Sequence, residues 1–434
     1  MLVWRTFIQG YWLTNVLSRV CTACACAILP MTVSASATIT LYGVIDLGLF
    51  YNTVSRHANT LGPAVNETIT GMASGVLTGS RWGIKATEQI SPDWSVTVGL
   101  ESGINAQDGT LSQGGLGFGR QSTLSLMSRQ YGSLTFGRRS AIAHAYLALI
   151  DPFAVSGSQA GMGSSFGSAN GVRPNNLLLY ETPVMKGWQA SVGYSFDTGF
   201  TAIYFDGPTS NMQSTTQYFG TRSNMQMVTA GVNYASGPLS IFWAYDAVFG
   251  ASEVVTPSGQ KQTNTNKAVP KAWMTGGIYD LGFVKLSAAI GQTINGNYFG
   301  QGAGAGGYTP PLSTFSDGAD IVFAKGVRSL QYGLGLTVPI GDSNTFIFSW
   351  QGLQPKETLS LIDDLATQNI YSASVSHSLS KRTDVYVWGL SLIGAMGPPV
   401  IVNMEPLVIE IMEPMADRNY RATRDRNYGA SMQG

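Results

Sequence analysis

Side chains that could carry out covalent catalysis are scarce in this chain. Its 434 residues include three histidines, His57, His144 and His377, and no His-x-x-x-His, Cys-His or Gly-x-Ser-x-Gly arrangement. The chain therefore lacks the residue arrangements that metal-dependent hydrolysis and Ser-His catalysis require, so we expect no enzyme activity, no metal site and no cofactor. His144 near Ser140 is a poor candidate for a Ser-His pair, because a lone loop histidine is usually just a solvated residue.

Charged side chains on one face of a strand offer a different chemistry, the electrostatic guidance of ions. Arg81, Gly83 and Lys85 share one face of a predicted strand, and Trp82 and Ile84 share the other. The apolar face must be the one in lipid, because a charge on the lipid face near the midplane would cost roughly 2–4 kcal/mol. Arg81 and Lys85 are therefore predicted to point into an aqueous interior.

The elements that must position these charges are membrane-spanning strands. Positions 39, 41, 45 and 47 are apolar, positions 40, 42, 46 and 48 are polar or small, and the stretch 38–51 ends in Phe50 and Tyr51. This alternation is typical of a strand with one face in lipid and one in water, and it places Asp46 inward. The pattern recurs to about residue 391, which predicts an all-β protein, a transmembrane antiparallel β-barrel.

Short turns that carry Gly, Pro, Asp or Ser alternate with long, polar, glycine-rich loops, as expected of outer-membrane barrels. We predict fifteen strands, over residues 38–51, 80–88, 94–104, 119–128, 133–140, 175–183, 188–196, 225–235, 238–248, 272–281, 283–294, 327–339, 344–354, 368–379 and 383–391. A barrel normally closes with an even number, since an open edge in lipid leaves backbone groups unpaired. We therefore expect one more strand within residues 392–434, where only 428–434 resembles one; the alternative is an incomplete barrel.

Residues 1–37 predict a secretory signal. Arg5 and Arg19 supply positive charge, an apolar core follows, and residues 35–37 form an A-x-A cleavage site. A transmembrane anchor is the alternative, but the apolar core is too short for one and contains Pro30. All three cysteines lie in this leader, so the mature chain has none for a disulfide or a thiolate metal site.

Charge and composition exclude further classes of protein. The leader holds two of the 25 basic residues and none of the 25 acidic ones. The mature chain therefore has 23 basic and 25 acidic residues, a net charge of −2. No basic excess points to nucleic acid. Charged residues make up only 12%, while 52 glycines and 11% aromatics suit many tightly turned strands. The mean hydropathy of +0.08 is low for a helical membrane protein, because half of each strand faces water.

Two alternative architectures agree less well with the sequence. Residues 385–402 are almost wholly apolar, as in a membrane helix, but Pro398 and Pro399 argue against a helix there. A soluble β-sandwich or β-solenoid is the other alternative. Against it, no repeat of fixed period is present, and strands such as 188–196 and 238–248 have aromatic ends that suit the girdles at membrane interfaces.

Seven segments in order resemble the general porins of Gram-negative bacteria, in particular the β-proteobacterial type. They are residues 40–46, 80–85, 100–103, 118–121, 132–138, 173–180 and 379–384. The resemblance implies a 16-stranded barrel, usually a homotrimer, whose third extracellular loop folds into the lumen. We divide the chain into a signal peptide (1–37), a porin barrel (38–391) and an atypical tail (392–434) that could hold the closing strand. Members of the family end in an aromatic residue, whereas this chain ends in Met432-Gln433-Gly434.

The resemblance also implies a pore constriction, with wall arginines opposite carboxylates on the inserted loop. It assigns Arg81, Arg138 and Arg173 to the wall; strict alternation instead turns Arg139 inward, unless a bulge at Gly137 reverses this, so both remain candidates. In the loop 141–172, Asp151 is the one acid, and Glu101 and Glu181 could add to it. The predicted constriction residues are Arg81, Lys85, Glu101, Arg120, Arg138, Arg139, Asp151 and Arg173. Alternatively, some of these charges only brace the loop or lie at the rim.

Basic wall residues outnumber loop acids, which predicts a weakly anion-selective pore for passive diffusion of ions and small hydrophilic solutes. The expected location is the cell outer membrane, and the expected partners are outer-membrane lipid, two further copies of the chain and the outer-membrane assembly machinery, but not nucleic acid. A surface barrel that acts as an adhesin or ligand receptor is one alternative. A C-terminally damaged porin that assembles poorly is another.

Overall fold

The structure is a computed structural model. It describes residues 37–56, 65–155, 160–169, 172–206, 209–211, 221–255, 261–298, 320–357, 367–394 and 400–404. The rest of the predicted leader, His57 and the fragment 428–434 lie outside this part of the chain. A search of the described helices finds none that is both long enough and apolar enough to cross a membrane.

Antiparallel strands dominate the described residues. The strands are β1 (Ala37–Val44), β2 (Leu47–Arg56), β3 (Val65–Ser74), β4 (Arg81–Gln89), β5 (Trp94–Asn105), β6 (Thr110–Leu111), β7 (Gln121–Ser128), β8 (Gly132–Arg138), β9 (Leu177–Glu181), β10 (Trp188–Ser195), β11 (Thr201–Asp206), β12 (Thr209–Asn211), β13 (Gln226–Ser236), β14 (Leu239–Phe249), β15 (Glu253–Val255), β16 (Lys261–Thr263), β17 (Lys271–Asp280), β18 (Lys285–Tyr298), β19 (Asp320–Ile340), β20 (Asn344–Glu357), β21 (Gln368–Ser380), β22 (Thr383–Gly394) and β23 (Val400–Met404). The described residues contain one α-helix, α1 (Ile142–Ile150), and short 3-10 turns at Gln113–Gly115, Met162–Ser164, Gly167–Ala169 and Thr221–Ser223.

Eighteen of these strands form a ring of sixteen barrel strands. β1 and β2 make the first barrel strand, and β3 and β4 make the second, because β2 pairs with β3 and β1 pairs with β4 in continuous order. The ring continues through β5, β7, β8, β9, β10, β13, β14 and β17 to β22. The remaining short strands, β6, β11, β12, β15 and β16, lie in the connections.

The strand that closes the ring is β23. It pairs on one side with β22 and on the other with β2, where Tyr51 lies opposite Asn403 and Asn52 opposite Val402. The predicted 16-stranded barrel is therefore confirmed, and the apolar stretch 385–402 contributes strands. The sixteenth strand lies at 400–404, earlier in the chain than the fragment 428–434 that the sequence pattern favours. The boundaries between leader, barrel and tail stay a prediction.

The two faces of the barrel wall have opposite chemistry. On β1, Ile39 and Leu41 are 72% and 67% exposed on the outer face. On the inner face, hydroxyl side chains of neighbouring strands meet, as where Thr87 Oγ1 lies 3.0 Å from Thr97 Oγ1. An apolar exterior around a polar interior is the arrangement that a lipid bilayer requires of a barrel with an aqueous lumen.

The connection between β8 and β9 folds inward and covers part of this interior wall. Its helix α1 is rich in alanine and leucine, which favour helix, and it ends at Ile150, two residues before Pro152. Its buried side packs on the wall, where a Cβ on Gly276 would lie 2.7 Å from Ile150 Cδ1. The same Cβ would lie 2.7 Å from the carbonyl oxygen of Ala288, which cannot move aside easily, so glycine at this position allows the close approach.

A second inward segment, residues 75–80, interrupts the second barrel strand between β3 and β4. The Asp46 carboxylate accepts hydrogen bonds from the backbone N–H groups of Leu77 at 2.9 Å and Thr78 at 2.6 Å, and from the Tyr386 hydroxyl at 2.8 Å. Asp46 thus faces inward as predicted, but it is buried and holds this segment against the last long strand. Val76 in the segment packs in one apolar cluster with the tip of the inserted connection.

Candidate functional site: the charged wall of the lumen

The first group of charged side chains surrounds Glu101 on β5. Arg120 Nε donates a hydrogen bond to Glu101 Oε1 at 2.6 Å, and the Tyr42 hydroxyl donates to Oε2 at 3.0 Å. Arg81 Nε lies 3.8 Å from the same Oε2. The barrel register brings these groups together, because β4 pairs with β1 on one side and with β5 on the other.

The orientation of β4 follows the predicted alternation. Trp82 faces outward and its ring packs edge-on against Phe118, with the centroids 6.1 Å apart. Arg81 and Lys85 lie on the opposite, inner face, and Lys85 is exposed to the lumen. Lys85 follows Gly83 by two residues on the same face of β4, and it pairs with Thr40 on β1 and Gly99 on β5. Since Glu101 pairs with Gly83, Lys85 lies nearer the periplasmic end than Glu101.

The second group is centred on Arg138, at the point where the wall strand β8 ends. Arg138 is only 9% exposed, and its Nε donates to the carbonyl oxygen of Gly119 at 2.7 Å. One terminal nitrogen donates to the carbonyl oxygen of Arg173 at 2.7 Å and to Asn175 Oδ1 at 2.8 Å. The guanidinium therefore connects the start and the end of the inserted segment to the neighbouring connection.

The backbone at Gly137 explains how Arg138 reaches this position. Strict alternation along β8 would place Arg138 on the lipid side with Phe136. Gly137 adopts a φ of +122°, a conformation that L side chains rarely adopt, and it lies directly before Arg138. Arg139 also turns inward, and its Nη1 lies 3.2 Å from Glu181 Oε2 on β9. Both arginines are therefore oriented toward the interior.

Arg173 and His144 form a third group within the inserted segment. The His144 Nδ1 lies 2.6 Å from the carbonyl oxygen of Ala169, so Nδ1 carries the proton in this contact. Burial and the neighbouring positive charges of Arg173 and Arg120 lower the pKa of His144 to about 3. The imidazole is therefore neutral at neutral pH, and the positive charge of this group resides on the arginines.

Asp151 has a different role from the one expected. It is 1% exposed, and its carboxylate accepts hydrogen bonds from the backbone N–H groups of Phe153 at 3.1 Å, Val155 at 2.7 Å and Met162 at 2.9 Å. The acid is therefore used to fold the inserted segment after α1, and it does not line the lumen in this structure. These contacts favour the alternative in which Asp151 braces the loop.

The structure thus brings Arg81, Glu101 and Arg120 into one group, links Arg138 to the carbonyl oxygen of Arg173, and pairs Arg139 with Glu181. Sequence reasoning missed Tyr42, although its position on the inner face of the first strand was a usable signal. It also missed Asn175 and the neutral His144, for which no local pattern exists. In the part of the chain that the structure describes, no cluster of three His, Cys, Asp or Glu side chains could hold a metal ion.

Comparison with known proteins agrees with this architecture. The family model of the Gram-negative porins matches residues 21–388. This chain belongs to the Gram-negative porin family. An outer membrane porin protein of Bordetella pertussis is 34% identical over 360 residues, which cover 82% of this chain and 89% of that protein. Outer membrane porin protein 32 of Delftia acidovorans is 27% identical over 359 residues, 81% of this chain and 83% of that protein.

A solved structure shares the fold of this porin. The anion-selective porin from Comamonas acidovorans superposes with a TM-score of 0.61 at 20% sequence identity, over 87% of this chain and all of that one. Because the chain belongs to the Gram-negative porin family, it is a channel for small solutes in the outer membrane and not an enzyme. The predictions of family, fold, location and general function are confirmed.

Proposed function

We propose that this porin forms a weakly anion-selective constriction, at which ions and small hydrophilic solutes pass between the inserted segment and the wall formed by β1, β4 and β5. The observation that carries the proposal is the imbalance of charge around the lumen. Around the groups centred on Glu101 and Arg138, six cationic side chains lie near two carboxylates: Arg81, Lys85, Arg120, Arg138, Arg139 and Arg173 against Glu101 and Glu181. The inward-facing Asp46 is buried and bonded to the backbone N–H groups of Leu77 and Thr78, so it does not offset this charge at the water-filled surface. A ring of excess positive charge lowers the barrier for anions.

We expect the selectivity to be weak because several of these charges are paired or buried. Glu101 and Glu181 are each next to an arginine, so part of the positive charge is compensated locally. Arg138 is bonded to carbonyl and amide oxygens and is nearly buried, which distances its charge from passing ions. The Comamonas acidovorans porin, which shares this fold, is anion-selective, and this also supports the proposal.

The reversal potential of single channels in a KCl gradient tests the selectivity. We expect the sign that favours chloride, and a shift toward potassium in the double variant Arg81→Gln and Arg120→Gln, because Glu101 then remains as an uncompensated carboxylate. Lys381→Gln, in the turn between β21 and β22, is the matched control and should leave the potential unchanged. A wild-type channel that favours potassium would refute the proposal.

We further propose that the porin assembles as a homotrimer with the help of the outer-membrane assembly machinery, as the family resemblance implies. Native mass spectrometry of the detergent-extracted protein tests the trimer, and conductance steps in groups of three test whether each subunit carries its own pore. A monomer with a single conductance step would refute this assembly.

A further inference from the structure

Asp246 is a buried acid that the charged wall of the lumen does not use. It lies on β14 on the inner face, between the buried residues Ala244 and Val248, and its own exposed fraction is 0%. Trp243, on the opposite face of the same strand, is exposed. The inserted segment covers Asp246 from the lumen side, because the hydroxyl of Ser168 in the 3-10 turn Gly167–Ala169 is one of the nearest polar groups.

The two carboxyl oxygens of Asp246 make no hydrogen bond with any side chain or backbone group of the described residues. The hydroxyls of Thr229 and Ser168 are near enough to act on the carboxyl group but do not have the geometry of a hydrogen bond to it. The Ser168 hydroxyl also has no partner among the described residues. Thr229 Oγ1 accepts a hydrogen bond from the backbone N–H of Ile142, the first residue of α1, at 3.1 Å.

No cation compensates this carboxyl group among the described residues that act on it. The titratable groups near it are the phenols of Tyr245 on the same strand and Tyr298 on β18, and the residue paired with it on β17 is Ala272. Helix α1 has two titratable side chains: His144 bonds the carbonyl oxygen of Ala169, and the Tyr146 hydroxyl lies 2.8 Å from Ser191 Oγ. An ionised carboxylate fully removed from water without a cation is very costly, whereas the neutral acid is tolerated and can donate a hydrogen bond.

We infer that Asp246 is kept as a neutral carboxylic acid and that it positions the inserted segment against the barrel wall. The neutral acid can donate its proton in a hydrogen bond to Ser168, and Thr229 next to it holds the start of α1. Ser168 precedes Ala169, the partner of His144, and lies five residues before Arg173. When the pH rises and the acid loses its proton to the water of the lumen, the negative charge must be hydrated, and the turn at residues 167–169 leaves the wall and narrows the passage.

Infrared spectroscopy of the purified porin in membranes tests the protonation state directly. We expect the C=O stretch of a protonated carboxylic acid in the wild type at neutral pH, its loss on alkaline titration, and its absence from Asp246→Asn. Asp280→Asn on β17 is the matched control, because Asp280 forms an ion pair with Lys285 at 3.2 Å and should not contribute this band. Absence of the band from the wild type at neutral pH would overturn the inference.

Single-channel conductance tests the positioning role. We expect the open-channel conductance of the wild type to fall as the pH rises through the same transition, whereas Asp246→Asn stays constant because it cannot ionise. The conductance of Asp280→Asn should fall with pH like that of the wild type. If the conductance of Asp246→Asn also falls as the pH rises, the positioning role is wrong. The role is also wrong if the pH of the transition changes when potassium is replaced by sodium, because Asp246 would then hold a cation. The outcome does not depend on the sign of the selectivity.

Discussion

Arg120 and Glu101 are nineteen positions apart in the chain, yet Arg120 Nε donates a hydrogen bond to Glu101 Oε1 at 2.6 Å. Arg81 lies on the other side of the same carboxylate. The pair therefore sets how much of the positive charge on this wall remains available to passing ions.

Replacing Glu101 by Gln should make the channel more anion-selective. The side chain keeps its shape and one acceptor oxygen, but Arg81 and Arg120 lose the negative charge between them. The reversal potential in a KCl gradient should move toward the chloride potential. Glu88→Gln, at the exposed periplasmic end of β4, is the control and should change the potential little. A shift toward potassium in Glu101→Gln would contradict the assignment of Glu101 to the constriction.

Replacing Arg138 by Ala should destabilise the inserted segment. Three hydrogen bonds from a charged group to Gly119, Arg173 and Asn175 are lost, and each such bond contributes roughly 1.5–3 kcal/mol in proteins. Urea unfolding of the porin in detergent should show a clear loss of stability. Arg139→Ala removes a half-exposed ion pair of about 0–1 kcal/mol and serves as the comparison. Equal losses in both variants would contradict the structural role of Arg138.

Replacing Asp151 by Asn should change stability and leave selectivity unchanged. The carboxylate accepts three backbone hydrogen bonds, and an amide supplies only one acceptor oxygen, so a loss of about 1–3 kcal/mol is expected. Thermal unfolding and the reversal potential should be measured on the same preparation. A changed reversal potential with unchanged stability would instead place Asp151 in the pore lining.

Acid should loosen the inserted segment through His144. Its pKa in the folded protein is about 3, against 6.5 for a free histidine, so the unfolded chain binds the extra proton first. The stability that the neutral imidazole contributes is complete above about pH 6.5 and is lost as the pH falls toward 3. Thermal unfolding between these values should show this loss in the wild type.

The variant His144→Gln isolates that effect, because an amide can still donate to the carbonyl oxygen of Ala169 but does not titrate. Its stability should depend less on pH over this range. An identical pH profile for the two proteins would mean that another group, and not His144, causes the acid sensitivity.

The amino-acid sequence alone determined the barrel, its fifteen predicted strands and the inward direction of Arg81 and Lys85. These follow from a local rule, since a strand between lipid and water must alternate apolar and polar residues. The same rule could not decide between Arg138 and Arg139, because the φ of +122° at Gly137 interrupts the alternation.

Only the tertiary structure decided what the remaining polar residues do. Asp151 stabilises the inserted segment because it accepts hydrogen bonds from backbone N–H groups up to eleven residues away. Glu101 accepts a hydrogen bond from Tyr42, which lies 59 positions earlier in the chain. The closing strand lies at 400–404 because β22 and β2 both pair with it. Such contacts depend on barrel register and on the path of the inserted segment, which involve residues far apart in the chain and leave no periodic pattern in it.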